Sequence, residues 1–137
     1  MEHKFERKIN YYETDKMGVV HHSNYIRFLE EARCQFLVDV GLPYELIEEN
    51  GIMMPVVGVS CEYKYPVTFG DNIVIKTRIT DFTGVRYKIQ YQITNKENGN
   101  LVVNAETRHC FTDFNLKPVN SKKSFPEMYE KFMEIAN

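Results

Sequence analysis

The run Tyr11-Tyr-Glu-Thr-Asp-Lys-Met-Gly-Val-Val-His-His-Ser-Asn-Tyr25 carries the clearest chemistry in this chain. Asp15 closes a strand-like segment, a loop holding Gly18 follows, and the chain then enters what reads as its one long helix. That arrangement aims a carboxylate and a helix N-terminus at the same small volume. The first N–H groups of an α-helix have no intrahelical acceptor and lie at the positive end of its dipole. An acyl carbonyl placed between them would meet a nucleophile or base on one side and oxyanion-stabilising donors on the other. Taken alone, Asp15 has a plainer use, because an Asp near a Gly most often caps a turn or sits in water. Catalysis would need partial burial and an electrophile beside it.

His21 and His22 follow. A His near an Asp can act as a general-base pair; the plainer use, favoured here for His21, is to position the loop and cap the helix. Adjacent histidines point in different directions, and no Cys or acidic partner stands at ligand spacing, so no metal site is read. Asn24 suits a hydrogen bond that holds the loop and keeps Asp15 in place. Tyr25 opens an apolar stripe and serves a core as readily as a substrate.

The elements that must position these residues are legible from periodicity. Lys4–Tyr12 alternates in part, with Phe5, Ile9 and Tyr11 on one face and Arg7 interrupting it, which predicts a strand. Thr14–Asn24 is a loop. From Tyr25 the apolar residues Phe28, Leu29, Ala32, Phe36, Leu37 and Val40 recur at helical steps until Gly41 and Pro43. Arg27, Glu30, Glu31 and Arg33 fall largely off the stripe, which suits a solvated or interface ion-pair face. A short helix is expected over Tyr44–Glu49. Period two then takes over in four runs: Val57–Tyr65, Ile73–Ile79, Val85–Ile93 and Leu101 to about Phe114. Clean alternation predicts one packed and one wet face, as in an antiparallel meander. Ser124-Phe-Pro-Glu127 has the form of a capping box opening a terminal helix, with Phe125, Met128, Tyr129, Phe132 and Met133 as its apolar stripe. The order predicts an α+β fold in which a curved antiparallel sheet covers one long helix.

With 137 residues, 43% hydrophobic and 26% charged, the chain fits one domain spanning 1–137. A net charge of -2 supplies no global field for nucleic acid or an anionic membrane, so neither is expected as a partner. Cys34, Cys61 and Cys110 are odd in number and widely spaced, which reads as reduced thiols in a cytoplasmic protein. No apolar run approaches the roughly 18–20 residues of a membrane helix, and the start has no secretory apolar segment.

Glu13-Thr14-Asp15, the glycine at 18, the β-branched pair Val19 and Val20, then His22, Asn24 and Tyr25 resemble, almost position for position, a known signature. It is that of the hotdog-fold acyl-CoA thioesterases of the 4-hydroxybenzoyl-CoA thioesterase type. The resemblance is specific over Tyr12–Tyr25 and general from Ile9 to Phe114, where Tyr65-Pro66 and Gly70-Asp71 look like the family's second-strand turn. It implies a hotdog fold, with a curved antiparallel sheet of about five strands wrapped around the long central helix. A C-terminal helix over about 124–136 follows.

It also implies hydrolysis of an acyl thioester to a carboxylic acid and free coenzyme A. Asp15 would be nucleophile or general base, and the backbone N–H of His22 the oxyanion donor. Gly18, Val19, Val20, Asn24 and Tyr25 would face or frame the substrate, with Gly18 small so that no side chain blocks the loop. No cofactor is implied. An acyl carrier protein could replace coenzyme A, and Arg86, Lys88, Lys64, Lys76 and Arg78 are candidates for the phosphates, although such residues are usually solvated surface. A glutamate on the helix serves another hotdog branch, which brings Glu30 and Glu31 into consideration. A homodimer or homotetramer is implied, with sheets paired edge to edge. Two alternatives stay open: an enoyl-CoA hydratase or dehydratase using Asp15 and His21, and a non-catalytic acyl-CoA-binding protein.

Overall fold

Alternation builds the sheet. In the computed structural model, which describes residues 1–136, Ile73, Ile75, Thr77 and Ile79 of β3 (Asn72–Thr80) are all buried. So are Tyr87, Ile89, Tyr91 and Ile93 of β4 (Arg86–Asn95). The register sets Ile75 against Ile93 and Ile79 against Ile89, then Ile93 against Val103 and Ile89 against Thr107 of β5 (Leu101–Cys110). Layers of this kind are the unit from which an antiparallel sheet draws its stability. β1 (His3–Lys8) and β2 (Val56–Tyr63) complete an antiparallel sheet of order β1-β3-β4-β5-β2.

Helix α1 (Ser23–Asp39) lays Tyr25, Phe28, Leu29, Ala32, Phe36 and Leu37 on the packed face of this sheet. Each such large side chain taken from water stabilises by about 1.5–3 kcal/mol. Gly41 ends the helix at φ +84°, with Gly41 N–H on the Val38 carbonyl and Leu42 N–H on that of Leu37. That pair of bonds is a Schellman stop. A short α2 (Tyr44–Glu49) leads to β2. This is the hotdog arrangement expected above, but among the described residues there are four α-helical segments, α3 (Ser121–Ser124) and α4 (Pro126–Ile135) being the others.

Several expectations are corrected. β1 stops at Lys8, and Tyr11–Glu13 forms a 3-10 turn, because Asn10 N–H turns to the Glu13 carboxylate. β2 is only thinly covered: Cys61 packs on the core, but Val57 is 55% exposed and Val59 45%, because α1 lies over β1 and β3 at the other side of the sheet. β5 ends at Cys110, after which Thr112 makes only isolated bridges to Met53 and Pro118. Ser124 is no cap. It ends the α3 turn that Asn120 caps by accepting Lys122 N–H at 3.0 Å, and α4 begins without a side-chain cap. On α4 the core takes Met128, Phe132 and Ile135, while Met133 stays 54% exposed. Asn137, the last position of the expected domain, lies outside the described residues. Among the described residues no helix is long and apolar enough to cross a membrane.

Candidate active site

The segment joining β1 to α1 is a small hairpin. Asp15 N–H donates to the Val19 carbonyl at 2.8 Å, Gly18 N–H to the Asp15 carbonyl at 2.9 Å, and Thr14 bridges Val20. Three residues thus close the loop, with Gly18 in the left-handed conformation at φ +81°, the position where such loops place a glycine. A Cβ at Gly18 would meet nothing within 4 Å. The backbone angle therefore favours glycine here, and within the protein itself a Cβ would find open space. Val20 N–H donates to the Val67 carbonyl at 2.9 Å and Val19 bridges Thr68, which ties the hairpin to the chain between β2 and β3.

Asp15 is half-buried. One carboxylate oxygen accepts Met17 N–H at 2.9 Å, which fixes the side chain in an Asx turn. Among the described residues the other oxygen has no hydrogen-bond partner. His22 is the N-cap of α1, and among the described residues no acceptor takes its N–H. Asp15 and His22 line one open pocket of about 320 Å³. The loop supplies Met17, Val19 and Val20 to its wall, the helix supplies Tyr25, and the end of β2 with the following turn supplies Tyr63, Lys64, Tyr65 and Pro66. Tyr63 stands 5.5 Å from Tyr25 and 6.2 Å from His22, ring centroid to centroid, so the wall opposite the loop is aromatic. Burial pushes the Tyr25 phenol up to about 12, with smaller contributions from Cys61 and Tyr63. It stays protonated at neutral pH.

Gly18 and Asn24 do not line this pocket. Asn24 instead donates its Nδ2–H to the Glu13 carbonyl at 2.8 Å, as expected of a residue that holds the loop. His21 lies outside as well, its Nδ1 bonded to Ser23 Oγ at 2.8 Å and to Ser23 N–H at 3.2 Å. Glu30 and Glu31 are also elsewhere, and the ion-pair face differs from the expected one. Glu31 pairs with Arg7 of β1 at 2.9 Å, while Arg33 is half-buried against Tyr44 and Tyr91. Of the basic candidates Lys64 alone reaches the pocket, paired with Glu62 at 2.9 Å. Lys88 pairs with Asp81, and Lys76 and Arg78 line a separate hollow on the outer face of the sheet with Gln90 and Gln92. Among the described residues no group of three or more His, Cys, Asp and Glu is placed to hold a metal.

Met17, Tyr63 and Tyr65 were not foreseen at the site. Alternation sets Tyr63 and Tyr65 on one face of a strand, with Tyr65-Pro66 at its turn, and no local pattern places residues 63–66 beside residue 15.

Known proteins share both sequence and shape. The putative acyl-CoA thioesterase YneP of Bacillus subtilis is 34% identical over 130 residues, covering 94% of each chain. The acyl-CoA thioester hydrolase YbgC of Escherichia coli is 30% identical over 118 residues, covering 85% of this chain and 87% of its own. A DHNA-CoA thioesterase of Staphylococcus aureus superposes with a TM-score of 0.92 at 29% identity, covering 98% of this chain and 90% of that one. The family model of the thioesterase-like superfamily matches residues 9–134, which take in the hairpin, the helix and the whole sheet except β1, and the chain belongs to that superfamily.

Proposed function

We propose that this protein is an acyl-CoA thioesterase, hydrolysing the thioester to a carboxylic acid and free coenzyme A at the Asp15 pocket. The observation that carries this reading is that Asp15 and His22 line one pocket, while among the described residues one Asp15 carboxylate oxygen has no partner and the His22 N–H at the helix entrance has no acceptor. Asp15 attacks the carbonyl carbon or takes a proton from the water that does. In either route the carbonyl oxygen becomes an oxyanion, and the His22 N–H with the α1 dipole stabilises it. The C–S bond then breaks, giving the acid directly in the water route, or a mixed anhydride on Asp15 that water hydrolyses to free the acid and restore the carboxylate in the other. A thiolate with a conjugate acid near pKa ~8.5 leaves readily, so the site needs no strong general acid. Tyr25, Tyr63 and Val20 offer an apolar acyl group a surface to bury against. Similarity to the acyl-CoA thioester hydrolase YbgC of Escherichia coli and to the putative acyl-CoA thioesterase YneP of Bacillus subtilis supports the same substrate class.

The hydratase reading needs His21 beside Asp15, and its absence from the pocket and its bonds to Ser23 speak for a capping role. A homodimer belongs to the proposal: the unpaired edge of β2 carries exposed Val57, Val59 and Tyr63, surface that a second copy would cover. Release of free thiol from short aliphatic, long aliphatic and aromatic acyl-CoA esters tests the proposal. Turnover of at least one class is expected. Water addition to an enoyl-CoA without thiol release would establish the hydratase reading in its place.

A further inference from the structure

Arg7 of β1 points inward at a place in the alternation where an apolar residue would be ordinary, and its side chain is 12% exposed. Its guanidinium grips Glu13 with two bonds, 2.9 Å to one carboxylate oxygen and 2.8 Å to the other. Its third face reaches Glu31 of α1 at 2.9 Å, and its carbon lies 4.1 Å from the centre of the Phe28 ring. Glu13 is buried, and one of its oxygens also accepts Asn10 N–H at 2.8 Å. A buried ion pair adds little stability for its own sake, because desolvation offsets most of the attraction. What the pair fixes is the backbone of Glu13. That carbonyl accepts His21 N–H at 3.0 Å and Asn24 Nδ2–H at 2.8 Å, the residues on either side of the His22–Ser23 entrance to α1. Asp15 stands two residues further along the chain from Glu13.

We infer that the Arg7–Glu13 pair is a positioning device, setting the separation between the Asp15 carboxylate and the His22 N–H by clamping the one peptide from which both are hung. The inference rests on the catalytic reading above. Glu13 and Arg7 are not among the residues that line the pocket. They act through Asp15 and the helix entrance, so their loss falls on the rate of the bound complex and leaves substrate affinity nearly alone. Misplacement by about 1 Å at a reacting centre lowers rate by about a hundredfold.

Three variants decide it. Glu13→Gln keeps the acceptor for Asn10 but turns an amide toward Arg7. Arg7→Lys keeps the charge and loses the fork. Glu31→Gln removes the outer, half-exposed arm and leaves the Arg7–Glu13 bonds whole. The expected result is a kcat lowered about 10–100-fold in Glu13→Gln with KM within about threefold. A smaller fall is expected in Arg7→Lys and about threefold or less in Glu31→Gln. The backbone amide resonance of His22 is followed by nuclear magnetic resonance in the same proteins. It should move in the first two variants and hold still in the third. If Glu13→Gln does not fold, Arg7→Lys decides on the same two readouts. Unchanged kcat with an unmoved His22 amide in a folded variant overturns the inference. Should wild type release no thiol at all, the catalytic reading falls, and the amide shifts alone still decide whether the pair positions the helix entrance.

Discussion

Replacing Gly18 by Ala isolates backbone strain from steric blockage. At φ +81° an L residue sits in the left-handed region, which costs about 1–2 kcal/mol. Removing glycine's freedom from the unfolded chain returns about 0.4–1 kcal/mol. The built Cβ meets no neighbour within 4 Å, so no packing penalty is added. The hairpin is fastened on its outgoing side by Val20 N–H to Val67 and His21 N–H to Glu13, so the strain is felt by the whole fold. A net loss of about 1 kcal/mol follows, which for a urea slope of about 2 kcal/mol/M moves the midpoint down by about 0.5 M. Asn, which tolerates this conformation, should lose roughly half as much, and β-branched Val should lose more than Ala. Urea unfolding of the three variants checks the order. A loss beyond about 3 kcal/mol for Ala, or equal losses for Ala and Asn, would refute the argument and bring back a steric role.

His22→Ala should keep kcat within about tenfold, because the proposed donor is the backbone, while His22→Pro should lower it about 10²–10³-fold. The native φ of −56° suits proline, so steady-state kinetics of a folded variant isolates the missing N–H. His109 is buried, stacked on Tyr87 at 4.8 Å and bonded to Thr107, and burial followed by the Arg33 charge holds its pKa down at about 4. The unfolded chain therefore binds the proton first, near 6.5, so this contribution is complete above that pH and is lost as pH falls toward 4. Wild type should lose about 2 kcal/mol more than His109→Gln between pH 7 and pH 5, read from urea midpoints at both. Phe132→Ala empties a fully buried site among Phe82, Tyr87 and Phe111 and should cost about 3–5 kcal/mol in thermal unfolding. Met133→Ala, on an exposed position, should stay within about 0.5 kcal/mol.

Where one physical rule governs a segment, the sequence shows it. The α1 stripe and the inward residues of β3 and β4 follow from period alone, because each face has a single environment along its length. β2 defeats the same rule. Its Val57, Val59 and Tyr63 alternate like core residues, yet whether the helix covers a strand depends on strand order and helix placement, which no local pattern encodes. Arg7 reads as a flaw in a strand until its partners Glu13 and Glu31 are seen beside it. At the site, the carboxylate and helix entrance are close in sequence and were legible. The aromatic wall comes from the far end of β2 and was not. Ser124 had the pattern of a cap, but Asn120 four residues earlier caps a turn of which Ser124 is the last residue.

The most direct test of the central claim is thiol release by wild type and Asp15→Asn, each confirmed folded, on the best ester of the panel. Asn keeps the shape of the side chain and can still accept from Met17 N–H, but it removes the charge that attacks or deprotonates. A fall of several orders of magnitude in kcat, with KM little changed, is the result the account requires. Near-wild-type turnover in the folded variant would contradict it and move the chemistry away from Asp15.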